Sequence, residues 1–158
     1  MAELSELESK LGEVMGLAQA AQLATKKVEK LVQDEQLKET LRQMGEEAAQ
    51  TEQRLEALTS ELQGKKTALA EQARETKREA QDMMNTYLGG DDVDGLDGFE
   101  FLLMAEAGEL GHVEIVEEMN KKVRMEGVDE LVSFVKPIQE KHCRFTREGA
   151  LKLAAEEV

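Results

Sequence analysis

Apolar residues recur along this chain at helical spacing. Leu4, Leu7, Leu11, Val14, Ala18, Ala21, Thr25, Val28 and Val32 follow one another in steps of three and four, the heptad signature of one buried helix face. The spacing predicts a helix over about residues 3–33. The register breaks at Gln33–Gln36 and restarts as Leu37, Leu41, Met44, Ala48, Thr51, Leu55, Leu58 and Leu62. This second helix is expected over 35–63, with Gly64 as the residue that ends it. Leu69, Ala73, Thr76, Ala80, Met83 and Tyr87 mark a third helix over 66–88, ending at Gly89-Gly90. Leu102, Leu103, Leu110, Val113 and Val116 mark a fourth over 96–123. Leu131, Val135, Ile138, His142 and Phe145 mark a fifth over 128–156.

The segment GGDDVDGLDG, residues 89–98, reads as an acidic loop. No register from Asp91, Asp92 or Asp94 supplies both the Gly at position 6 and the Glu at position 12 of an EF-hand calcium loop. Pro137 falls inside the fifth stripe and is expected to kink or break it. Thr146 is placed either to cap a short C-terminal helix or to lie inside a continuous one. Five amphipathic segments with short connections predict an all-α fold, an antiparallel bundle in one domain spanning 1–158, with helices about 35–45 Å long.

Composition sharpens this picture. Ala, Glu, Leu, Lys, Gln and Met are abundant and aromatics make up 3%, so there is little material for a sheet. The 158 residues carry a net charge of -14, which argues against nucleic acid or an anionic membrane surface as a partner. One cysteine forms no internal disulfide and no four-thiolate zinc site. No apolar run approaches the ~18 residues of a membrane span. The acidic start shows no signal peptide, so the cytoplasm is the expected location.

Chemistry is sought among polar residues inside the apolar stripes. At 100° per residue, Glu106 falls in the middle of the fourth helix's inner arc. Glu109 lies beside it and His112 on its edge. Between Arg78 and Lys121 there are 12 acidic residues and no Lys or Arg. A buried carboxylate there needs a partner from another helix, a bound cation or a proton. His142 is central on the fifth stripe. About a turn near Glu126, Glu109 is 17 residues back and His142 16 forward, so a hairpin would set them at one level. It would also bring the two histidines near each other. A Glu109–His142 pair would satisfy two of these residues without any metal. Gln22, Glu47, Gln72 and Glu79 lie on stripe flanks and are expected to reach water.

The stretches AEAGELGHVEIVEEMNKK (105–122) and FVKPIQEKHCRFTREGALKL (134–153) resemble the ferritin-like superfamily, the rubrerythrin- and ferritin-like bundles. Their di-iron sites take a Glu from each of two helices and a Glu-x-x-His from each of two others. Glu109-Leu-Gly-His112 matches that spacing. Gln139-Glu-Lys-His142 matches with Gln in the carboxylate place, and Glu47-Ala-Ala-Gln50 with Gln in the histidine place. The resemblance implies a metal site of Glu106, Glu109, His112 and His142, with Glu47 and Gln139 as weaker members. It implies iron or manganese as cofactor and an iron-dependent oxidase or peroxide-stress protein as function. The residues alone leave a second reading open: a non-catalytic bundle or coiled-coil scaffold, expected to form a homodimer, whose inward Glu and His residues pair with one another and hold no metal. Cys143 points away from His142 on the helix and reads as a small packed residue.

Overall fold

Three side-chain caps fix where helices begin. In the computed structural model, which describes residues 2–158, Ser5 Oγ accepts from the Glu8 backbone at 3.2 Å while the Glu8 carboxylate accepts from the Ser5 backbone at 2.7 Å. This reciprocal box opens α1 (Glu6–Glu29), which is shorter than the stripe at both ends. Asp34 Oδ1 accepts from Leu37 N at 3.0 Å and opens α2 (Glu35–Thr59). After α3 (Lys66–Leu88), Asp94 and Asp97 form a second reciprocal box, both bonds at 3.0 Å, and open α4 (Gly95–Val123). The last helix, α5, runs Val128–Glu157. The described residues contain no strand, and none of their helices is long and apolar enough to cross a membrane.

Two expectations about boundaries change, and α5 proves continuous where the sequence left alternatives open. The acidic loop ends at Asp94, and 95–98 are helical, because the Asp94–Asp97 box nucleates a first turn that composition alone disfavours. Gly95 and Gly98 lie where an added Cβ would press on Val32 and Val28 of the α1 end. Gly64 takes a left-handed φ of 76° within the 60–65 turn, while α2 has already ended at Thr59. No separate C-terminal helix forms. Thr146 donates to the Cys143 carbonyl at 3.0 Å from inside α5. Nor does Pro137 break α5. Both Pro137 and Ser133 are exposed, so the Ser133 carbonyl that loses its helical donor faces water.

Packing gives the order of the bundle. α1 packs on α2, α2 on α5, α5 on α4 and α4 on α1, closing a ring of four; α3 lies outside the ring against α1 and α4. Gly16 permits the close α1–α3 approach, since a Cβ there would overlap the Ala73 carbonyl oxygen. Two apolar clusters fill the interior. One joins Leu7, Leu11, Val14, Leu55, Val113, Val116, Leu131 and Val135. The other joins Val28, Leu41, Met44, Phe99, Leu102 and Ala150. On α2, α4 and α5 the residues numbered between the two clusters include Glu47, Glu106, Glu109, Gln139 and His142. A polar band thus separates two oily ends of the bundle, and α1 contributes buried Ala18 and Ala21 in the matching stretch of its own sequence.

Candidate functional site: a buried polar band

Helical periodicity sets who faces inward. Glu106 and Glu109 are one turn apart on α4 and 1% and 9% exposed; Gln139 and His142 are one turn apart on α5 and 4% and 2% exposed. Toward the adjacent helix, His142 Nε2–H donates to Glu47 Oε1 of α2 at 2.9 Å. The ring nitrogen must be the donor because an ionised carboxylate only accepts. Lys141 Nζ reaches the other oxygen of the same carboxylate, Oε2, at 2.6 Å. Gln139 Nε2 donates to the Glu106 carbonyl at 3.2 Å and also to its carboxylate. Glu109 completes the band one turn on from Glu106, whose charge bears on its carboxyl.

These contacts move the carboxyl groups in opposite directions. For Glu47, burial works upward, but hydrogen bonds from Lys141 and His142, and then their charge, outweigh it and hold the group below the ordinary carboxylate range. Burial raises Glu106; the charge of His142 and hydrogen bonds from Gln139 and Glu109 only partly offset that. Burial raises Glu109 furthest, and the Glu106 charge and hydrogen bond add to it. Two neighbouring carboxyls in a low-dielectric interior disfavour each other's ionisation, so both are pushed upward, Glu109 the further.

The six sequence candidates therefore divide. Glu47, Glu106, Glu109, Gln139 and His142 come together in the band. His112 does not join them. Its Nδ1–H donates to the Gly108 carbonyl at 2.8 Å, its Nε2 lies 3.5 Å from Glu13 of α1, and its side chain is 36% exposed. The two histidines thus serve different neighbours, because three residues beyond Glu109 the helix has turned toward α1. The Glu109–His142 pair does not form: His142 pairs with Glu47 instead. Glu47 was expected at the surface, yet the Glu47 side chain is only 16% exposed. Lys141 was missed altogether. Its only signal was its place beside His142 on a helix that packs on α2.

Among the described residues, no group of three or more His, Cys, Asp or Glu side chains is arranged to hold a metal ion. Every buried side-chain nitrogen and oxygen among them has a hydrogen-bond partner. Cys143 is half-buried; burial, then the charges of Glu106 and Glu109, push its thiol up to about 11. It stays protonated at neutral pH and is a poor nucleophile.

A cleft of about 260 Å³ opens between α1, α3 and α4. Its walls are Leu17, Ala21, Ala24, Ala80, Met84 and Leu102, and Glu106 and Glu109 line it as well. No Lys or Arg lines it.

No family model, no curated protein and no solved structure matches this chain.

Proposed function

We propose that this protein is a non-catalytic helical-bundle interaction module whose inward Glu, Gln and His residues serve the fold by pairing with one another. One observation carries this reading: most of the band is paired within the protein, His142 and Lys141 on Glu47 and Gln139 on Glu106. A buried polar layer of this kind sets the register of the helices around it, since a shifted neighbour would leave a buried group unpaired. A cytoplasmic homodimer belongs to the same reading. Tyr87 and Leu151, 53% and 59% exposed, are apolar surface for such contact, and sedimentation equilibrium measures it.

A ferritin-like antiparallel bundle holding iron or manganese is the second reading. It is favoured by the contact of Glu106 and Glu109, two buried carboxyls on one helix with His142 on the next. The donor set does not fit a di-iron centre as it stands: His112 is turned to Glu13 and no third ligand converges on the glutamate pair. Elemental analysis of untagged protein purified without chelator separates the readings, repeated on Glu109→Ala and His142→Ala. Metal-free protein that ignores added Fe²⁺ supports the interaction module. Stoichiometric iron or manganese lost in both variants overturns it.

A further inference from the structure

Ala20, Ala21, Ala24 and Ala80 leave space between α1, α3 and α4 that larger side chains would fill. The resulting cleft is apolar along its walls and bordered by Met83 and Met104, 55% and 47% exposed. Glu109 lines it while only 9% exposed, and among the described residues no nitrogen donor makes a hydrogen bond to its carboxyl; the charge that bears on it is that of another carboxyl, Glu106. An acid in that position has an unmet preference for a cation.

We propose that this cleft is a binding site for a small lipophilic amine, its ammonium group on the Glu109 carboxylate and its hydrocarbon part between the alanines of α1 and the side chains of α3 and α4. The chemistry selects this class over its neighbours. A purely apolar ligand would leave the carboxyl unmatched. A fatty acid would add a third acid to two. A bare divalent cation would find two carboxyls and no third protein ligand. An ammonium supplies the N–H donors and the charge that Glu109 lacks, and any proton it displaces from that carboxyl passes to solvent. The inference goes beyond the interaction-module reading and does not depend on it, because it uses neither His142 nor Glu47.

The test is calorimetric titration of the full chain with n-octylammonium, n-octanol and n-octanoate. Saturable binding of one octylammonium per chain is expected, with octanol at least tenfold weaker and no binding of octanoate. Glu109→Gln, which keeps size and a donor toward Glu106, is expected to weaken octylammonium at least tenfold. Ala80→Leu, which fills the cleft from α3, is expected to weaken it comparably, and serves alone if the Gln variant fails to fold. Failure of the wild-type protein to bind octylammonium overturns the proposal, as does equal affinity for octanol or unchanged affinity in folded variants. Metal content is a separate readout, so each reading fails on its own measurement.

Discussion

His142 of α5 donates its Nε2 proton to Glu47 Oε1 of α2 at 2.9 Å, with the imidazole 2% exposed. This bond joins two adjacent helices of the ring, and it lies between the two apolar clusters. His142→Ala would remove buried volume and leave Glu47 held by Lys141 alone. The expected loss is about 2–4 kcal/mol of unfolding free energy, read from the urea midpoint. A change under about 0.5 kcal/mol would show that the bond is incidental to the fold.

The acid limb of the stability profile should report Glu47. Its folded carboxyl lies below the ordinary value of 4.5 because Lys141 and His142 outweigh burial. Its contribution is therefore present above 4.5 and lost as pH falls through the lower folded value. Glu47→Gln is expected to be less stable than the wild type at pH 7, with the gap narrowing toward pH 3. Urea midpoints at both pH values check this; a gap that widens on acidification would contradict it. Glu8 contributes in the same sense: burial raises it, but Lys65 and the Ser5 cap lower it further.

Two glycines on neighbouring helices should respond oppositely. At Gly16 an added Cβ would overlap the Ala73 carbonyl oxygen, so Gly16→Ala must push α3 away from α1. A cost of about 1–3 kcal/mol is expected. Gly111 lies inside α4 with nothing within 4 Å of an added Cβ. Gly111→Ala should stabilise the protein by about 0.5–1 kcal/mol through helix propensity alone. Thermal unfolding of the two variants reads both signs, and a shift of the same sign in both would mean that the α1–α3 contact does not limit residue size.

Much of this was legible in the residue pattern, and the exceptions have physical causes. Heptad spacing gave five helices, with α3 and α4 close to their observed ends. The inward placement of Glu106, Glu109 and His142 followed from the same angular count. Partner choice did not follow. Periodicity on one helix says which way a side chain points and nothing about which helix meets it. Hence Glu47, a flank residue by its own stripe, became the acceptor for His142 once α2 packed on α5. His112 shows the reverse error: a Glu-x-x-His spacing was counted as one face, whereas the histidine had already turned toward Glu13. The Asp94–Asp97 box was hidden by composition, since glycines and aspartates read as loop until the cap is recognised.

The Glu106–Glu109 pair sets the opposite pH slope from Glu47. Glu109 is raised above its ordinary value of 4.5 by burial first and by Glu106 second. The native state thus holds its proton more tightly than the unfolded chain. Stability from this group is fully present below 4.5 and is lost as pH rises through the raised folded value. Glu109→Gln, which cannot ionise, should flatten that decline. Urea midpoints between pH 5 and pH 8 give the comparison, and a wild-type slope no steeper than the variant's would contradict it.

Burial and the Glu106 charge raise the Glu109 carboxyl above its ordinary range in the bundle interior, which favours a proton where a cation would otherwise sit. Carbon-13 NMR titration of the glutamate side-chain carboxyls, in metal-free protein, observes that proton directly. The expected result is a Glu109 resonance still in its protonated position well above pH 4.5, changing together with Glu106 as a coupled pair. A Glu109 carboxyl that ionises at or below 4.5 would contradict the account.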